Sequence, residues 1–158
     1  KEPDLSFVNR ADSMDSDADV VVVFGGTNDF GHGDAKLGTF ESRDPYTFYG
    51  AMHVLCEKLI NRFPNADILF MTPLHRCSED EVSKENGLPE ETNLAGYVSI
   101  IREVAEFYGL PVLDLFSTSG LQPKVDIIKE TYMPDGLHPS DAGALRIALR
   151  LMGFLQTL

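Results

Sequence analysis

The segment 135–138 has the residue types and the spacing that can fix a histidine side chain for proton transfer. Asp135 precedes His138 by three positions, and Gly136 between them permits a tight turn. In such a turn the carboxylate can hold one imidazole nitrogen, which sets the tautomer and stabilises the imidazolium. The other ring nitrogen is then free to act as a general base. The alternative is that Asp135 only caps a turn and that His138 is an ordinary surface residue.

A second candidate follows the apolar run at residues 20–24. Gly26 and Thr27 lead into Asn28, whose side-chain amide can donate a hydrogen bond to a developing oxyanion. The glycine allows the backbone to approach a substrate closely. The alternative is a turn that Asn28 supports through hydrogen bonds to its own backbone. Each motif by itself is compatible with chemistry and with a simple turn.

The elements around these motifs predict strands that alternate with helices. Four valines and a phenylalanine at residues 20–24 show no polar alternation, which predicts a strand buried on both faces. Apolar runs predict further strands at 67–71 and 111–115. A period of 3.6 residues predicts helices at 4–14, 44–63 (capped by Asp44), 94–108, 121–131 and from Ser140 onward. We expect the last helix to bury Leu145, Ala148, Leu149, Met152 and Leu155, and we expect residues 27–43 to form a loop.

Strands that alternate with helices imply right-handed crossovers and a parallel α/β sheet. Sheets of this kind bind ligands at the carboxyl ends of their strands. Pro73-Leu74-His75-Arg76 follows the second predicted strand, so His75 or Arg76 is a candidate substrate contact at that edge. An ordinary surface loop is the alternative for both.

Composition narrows the class of protein. The chain has 158 residues, which fits a single domain over 1–158, and a net charge of −12, which argues against nucleic acid and anionic membranes as partners. No apolar run approaches the ~18 residues of a membrane span. Cys56 and Cys77 match no zinc or redox spacing, so we expect two free thiols and no metal site. Acidity and the lack of an apolar leader favour a cytoplasmic protein.

Together, the two motifs resemble the SGNH hydrolases, also called the GDSL lipase/acylhydrolase family. Gly26-Thr27-Asn28-Asp29 resembles the G-x-N-D block of that family, and Asp135-Gly136-Leu137-His138 resembles its D-x-x-H block. The resemblance implies a three-layer α/β/α domain with a flavodoxin-like parallel sheet. It also implies that Asn28 binds the oxyanion, that His138 is the base and that Asp135 orients it. Gly26 and Thr27 would shape the pocket, and the substrate would be a small carboxylic ester such as an O-acetylated carbohydrate, with no cofactor.

The chain departs from the family at the nucleophile. The family carries its serine in a Gly-Asp-Ser segment near the N-terminus, and no serine of this chain follows Gly-Asp. Only three strands are predicted, so we expect the sheet to be incomplete without an N-terminal stretch of ~50–60 residues or a second chain. We therefore expect a serine esterase whose serine lies outside these residues. The alternatives are an inert fragment or binding module of the same fold, and a flavodoxin-like cofactor protein, which the lack of a phosphate loop argues against.

Overall fold

The architecture comes from a computed structural model that describes residues 6–33, 36–81 and 92–158. Seven α-helices and three strands lie in these ranges. In chain order they are α1 (Phe7–Arg10), β1 (Val20–Phe24), α2 (Thr27–His32), α3 (Phe48–Arg62), β2 (Asp67–Met71), α4 (Leu94–Phe107), β3 (Val112–Leu113), α5 (Leu115–Thr118), α6 (Asp126–Tyr132) and α7 (Asp141–Leu155). A 3-10 turn, Ala11–Ser13, continues α1.

The three strands form one parallel sheet in the order β1-β2-β3. Val22 of β1 lies opposite Leu69 of β2, and Phe70 of β2 lies opposite Val112 of β3. The helices α3 and α4 make the two crossovers between these strands. The prediction of a parallel α/β sheet is confirmed, and the carboxyl ends of all three strands meet at one edge.

Helices cover both faces of the sheet, which makes three layers. One face packs on α3 and α4 through a core that includes Phe70, Leu59 and Val104. The other face packs on α6 and α7 through a second core around Leu69 and Met133. Alternate residues of β2 enter opposite cores because successive side chains of a strand point to opposite faces. Every residue of β2 from Ile68 to Met71 is therefore buried.

The first strand differs from its prediction on one face. Val21 is buried, but Val20, Val22 and Phe24 are 39–44% exposed. Within the described part of the chain, β1 pairs only with β2, so its other edge carries no partner strand. The expectation of a strand buried on both faces is wrong here, because the described residues cover the face of Val20, Val22 and Phe24 only in part.

The last helix turns a different face to the core than the sequence predicted. Leu145, Leu149 and Met152 are 59–61% exposed, and Ala148 is exposed as well. The half-buried side chains that pack on the sheet are Ile147, Leu151, Phe154 and Leu155. Of the predicted set, only Leu155 packs there. The helix is apolar on two sides, so its periodicity could not identify the side that meets the sheet.

Local capping explains the remaining differences. The long helix α3 begins at Phe48, because Thr47 accepts the Gly50 N–H, while Asp44 accepts the N–H of Tyr46 in the turn before it. The strand predicted at 111–115 is short because the Asp114 side chain caps α5. Residues 27–32, predicted as loop, form α2. Positions 4 and 5 of the first predicted helix, and residues 82–91 of the loop after β2, lie outside the described residues.

Two further expectations concern cysteines and membrane spans. Cys56 is buried and Cys77 is exposed, and both are free thiols as predicted. No helix in the described ranges combines the length and apolar character needed to cross a bilayer.

Candidate active site

The Asp135 carboxylate and the His138 imidazole form a hydrogen-bonded pair. Their Oδ2 and Nδ1 atoms are 2.6 Å apart, and the other carboxylate oxygen accepts the backbone N–H groups of Leu137 and His138 at 2.9 and 2.7 Å. The hydrogen bond to the His138 side chain, followed by these two backbone bonds, holds the pKa of Asp135 well below its ordinary value. An ionised Asp135 requires the proton on Nδ1, which leaves the Nε2 lone pair of a neutral His138 available as a base.

The turn that carries this pair is fixed from both sides. Gly136 has a φ of 77°, and a Cβ at this position would lie 2.5 Å from the Sγ atom of Cys77. Only glycine fits such a backbone conformation beside another side chain. On the other side, Ser140 caps α7 by accepting the Gly143 N–H, and its hydroxyl donates to the Thr131 carbonyl at the end of α6. The His138 side chain stays 75% exposed.

Asn28 lies in the first turn of α2, directly after β1, and its side chain is exposed. Gly26 precedes the helix with a φ of 100°, and a Cβ there would lie 3.1 Å from Ile101 and 3.3 Å from Pro73. This conformation turns the chain sharply from the strand into the helix. The predicted group Gly26, Thr27 and Asn28 therefore stands at the carboxyl edge of the sheet, where a ligand is expected.

Two consecutive residues of the loop after β2 contact both motifs. The Arg76 guanidinium donates to the Thr27 carbonyl at 3.3 Å, and the Cys77 N–H donates to the Gly136 carbonyl at 2.9 Å. The segments 26–28 and 135–138 are therefore held at the same edge of the sheet by adjacent residues. This link could not be predicted from the sequence, because hydrogen bonds to backbone carbonyls leave no residue-type signal.

His75 has a different set of partners from the other predicted site residues. Its Nδ1 lies 2.6 Å from Oε2 of Glu79, and its ring packs against Phe116 with centroids 3.9 Å apart. Burial alone would raise the pKa of Glu79, but hydrogen bonds from Lys124, Gln122 and His75 outweigh it and lower that pKa to about 2. Glu79 was not among the predicted site residues, although its spacing of four residues from His75 was a usable signal. Among the described residues, no hydrogen bond or ring contact joins His75 to Asn28 or His138, so substrate contact by His75 stays a prediction.

The arrangement contains a histidine, a carboxylate bonded to it and an amide side chain, which are the residue types of three of the four groups that a serine hydrolase requires. In the described part of the chain, no serine hydroxyl is hydrogen-bonded to His138. The Ser140 hydroxyl is occupied as a helix cap, and Ser78 and Ser117 accept hydrogen bonds from arginines. Ser83 lies outside the described residues. The described residues also contain no group of three or more metal-ligating side chains.

Residues 4–146 match the pattern of the GDSL-like lipase/acylhydrolase family. The chain belongs to this family. At the family level the GDSL-like chain is a hydrolase of the lipase/acylhydrolase kind, and the α/β fold expected from the two motifs is the fold of the family. A search of curated proteins found no match.

Solved structures share the fold of this GDSL-like chain. A crystal structure of a Lactobacillus plantarum protein is 33% identical and superposes with a TM-score of 0.85, over 95% of this chain and 72% of that one. A structure described as a GDSL-like lipase, from Bacteroides ovatus, is 23% identical with a TM-score of 0.67, over 98% and 61%. A carbohydrate esterase family 3 structure from Talaromyces cellulolyticus is 15% identical with a TM-score of 0.58, over 98% and 64%.

Proposed function

We propose that this GDSL-like chain carries the base, the orienting carboxylate and an oxyanion donor of a serine esterase that acts on small carboxylic esters. The observation that supports this most directly is the Asp135–His138 pair, with Nδ1 held at 2.6 Å and Nε2 left without a partner among the described residues. Family membership agrees with acyl chemistry. Esters of acetylated carbohydrates are within the proposed substrate class.

In the proposed reaction, a serine hydroxyl attacks the ester carbonyl while Nε2 of His138 takes its proton. The negative charge of Asp135 stabilises the imidazolium that forms, without itself accepting the proton. The Asn28 side-chain amide donates a hydrogen bond to the oxygen that becomes negative. His138 then gives the proton to the leaving alcohol, and the acyl group stays on the serine. Water, which gives a proton to His138, attacks this acyl-enzyme and releases the acid and the free serine.

We infer that the serine is supplied by a polypeptide segment that pairs with the free edge of β1. Val22 and Phe24 lie opposite Leu69 and Met71, which point into the core shared with α6 and α7. The exposed side chains of Val22 and Phe24 therefore lie on the side of the sheet that faces α6 and α7. In a parallel sheet, a strand added beside β1 ends at the edge that carries Asn28.

The open surface is large enough to favour such a segment. On β1 and α7 together, six apolar side chains are each roughly half exposed: Val20, Val22, Phe24, Leu145, Leu149 and Met152. Full burial of one such side chain stabilises a fold by about 1.5–3 kcal/mol, so covering the exposed halves contributes about 6 kcal/mol. This value is comparable to the total stability of a small domain, about 5–15 kcal/mol.

The test uses the naturally expressed protein that contains these residues, called the natural protein below. We expect His138→Ala to lower kcat for p-nitrophenyl acetate by about 10⁴-fold or more, and Asn28→Ala by about 10²–10³-fold. Asp135→Asn should also lower kcat strongly, whereas the matched control Asp141→Asn, an exposed acid in the first turn of α7, should leave it unchanged. Near-native turnover by His138→Ala would refute the assignment of the base.

The alternative is that the 158 residues by themselves bind ligands without catalysing a reaction. The lack of a serine on His138 in the described structure favours this alternative for the chain alone. A fluorophosphonate probe, which labels activated serines, separates the two. We expect labelling of the natural protein and none of the 158-residue chain. Stoichiometric labelling of the chain alone would instead place the nucleophile within it.

A further inference from the structure

We infer that Arg76 is a positioning residue that fixes the place of Asn28 relative to His138. This inference rests on the proposed function, because it assigns Asn28 to the oxyanion and His138 to proton transfer. Arg76 and Cys77, together called the bridge, are adjacent in sequence and contact one motif each. The bridge therefore sets the separation of two motifs that are about a hundred residues apart in the chain.

The side chain of Arg76 contacts α2 at three points. It donates to the Thr27 carbonyl at 3.3 Å, and its guanidinium carbon lies 5.4 Å from the centre of the Phe30 ring. A Cβ on Gly31 would lie 3.0 Å from the same guanidinium, so the glycine allows the close approach. One planar cation thus spans the helix from its first to its fifth residue.

The helix α2 needs this support because its own sequence is unfavourable for a helix. It has only six residues and is capped by Gly33, and Phe30 is its only buried side chain in the structure. A helix shorter than about twelve residues is marginal in water, and internal glycines such as Gly31 weaken it further. The position of Asn28 therefore depends on contacts from outside the helix.

The other half of the bridge fixes the histidine motif. The Cys77 N–H donates to the Gly136 carbonyl at 2.9 Å, and the Cys77 side chain fills the space beside the Gly136 α-carbon. Gly136 lies between Asp135 and His138, so this contact determines where the whole turn sits. The two contacts keep a fixed separation, because Arg76 and Cys77 share a planar peptide bond.

The bridge is anchored by a buried carboxylate. Glu79 is 7% exposed, and its Oε2 atom accepts the Arg76 N–H at 3.2 Å as well as the bond with His75. Its other oxygen binds Gln122 at 3.0 Å and Lys124 at 2.9 Å. The Arg76 Nε also donates to the Ser78 hydroxyl at 3.1 Å, which orients the guanidinium. Both the backbone and the side chain of Arg76 are therefore held in place.

The test is a double-mutant cycle in the natural protein. We expect Arg76→Ala to lower kcat for p-nitrophenyl acetate by about 10- to 100-fold with little change in KM, because displacement of a group that stabilises only the transition state affects kcat. The Arg76→Ala/Asn28→Ala double variant should be no slower than Asn28→Ala alone, since Arg76 acts through Asn28. Arg76→Lys, which keeps the charge without the planar fork, should recover part of the loss.

Arg62→Ala provides a matched control. Arg62 also donates to a backbone carbonyl, that of Met14 at 3.0 Å, and lies 5.8 Å from the Phe63 ring centre, but at the end of α3 away from the site. We expect it to leave kcat unchanged. A second readout is amide hydrogen exchange at Phe30 and Gly33, whose N–H groups close α2. Both should exchange faster in Arg76→Ala and not in Arg62→Ala.

Three outcomes separate the possibilities. Multiplicative losses in the double variant would overturn the inference, because they would mean that Arg76 acts independently of Asn28. Unchanged exchange at Phe30 in Arg76→Ala would overturn it as well. If Asn28→Ala itself keeps full kcat, the proposed function fails at the oxyanion, whereas faster exchange in Arg76→Ala would still support the clamping of α2.

Discussion

Replacement of Glu79 by glutamine should destabilise the protein at neutral pH and have little effect in strong acid. The Glu79 carboxylate accepts hydrogen bonds from three side chains, among them the cation Lys124 at 2.9 Å, and from one backbone N–H. Although burial opposes ionisation, these hydrogen bonds lower the pKa of Glu79 from 4.5 to about 2. A lowering of this size corresponds to about 3 kcal/mol of free energy of unfolding.

The direction of the pH dependence follows from the protons bound in each state. Since the pKa of Glu79 is lower in the folded protein, the unfolded chain binds more protons between pH 4.5 and about 2. The stabilisation is therefore fully present above pH 4.5 and is lost as the pH falls towards 2. In Glu79→Gln this contribution is missing at every pH.

Urea unfolding of the natural protein and its Glu79→Gln variant at pH 7 and at pH 2.5 measures the effect. We expect the free energy of unfolding of the variant to be lower by about 3 kcal/mol at pH 7, and this difference should become much smaller at pH 2.5. The matched control is Glu81→Gln, since Glu81 is exposed in the same loop. A gap that is the same at both pH values, or an equal gap in Glu81→Gln, would refute the reasoning about the buried carboxylate.

Two further predictions concern stability away from the bridge. Burial, followed by the charge of Arg43, lowers the pKa of His53 in the folded state. Below about pH 6.5, protonation therefore stabilises the unfolded chain more than the folded protein, and the free energy of unfolding falls. Urea midpoints at pH 7.5 and 5 should therefore fall more in the wild type than in His53→Gln; equal falls would contradict this. Ser140→Ala removes the cap of α7 and should lower stability by about 1 kcal/mol, or Tm by about 2–4 °C in a thermal melt. The exposed Ser16→Ala is its control, and equal Tm values for the two variants would contradict the capping role.

The sequence predicted the elements wherever one local pattern had one interpretation. The apolar runs at β1 and β2 and the periodic stripe of α4 became the expected strands and helix. Ser140 caps the last helix as predicted, because its side chain reaches a backbone N–H only three residues away. The Asp135–His138 hydrogen bond was predictable for the same reason, since a spacing of three residues brings the two side chains together in a tight turn.

The sequence could not predict features that depend on neighbours distant in the chain. Both sides of α7 are apolar, so only packing shows that Leu151 faces the sheet while Leu149 is exposed. Likewise, four valines predict burial, but exposure of β1 depends on which strands lie beside it. The sequence pattern allowed Asp114 to extend the third strand. It caps α5 instead, because its side chain is also held by hydrogen bonds from Arg102 and Thr72.

The sequence by itself determined the family, the parallel α/β class and the pairing of a carboxylate with a histidine, because each depends on residue types at short, fixed spacing. Only the tertiary structure decided that Arg76 and Cys77 connect the Asn28 helix to the Gly136 turn, and that Glu79 anchors this connection. The long-range contacts among these join residues about 40–60 positions apart, two of them through backbone carbonyls that every residue possesses. Their formation depends on how the chain is folded, since neither residue type nor spacing encodes them.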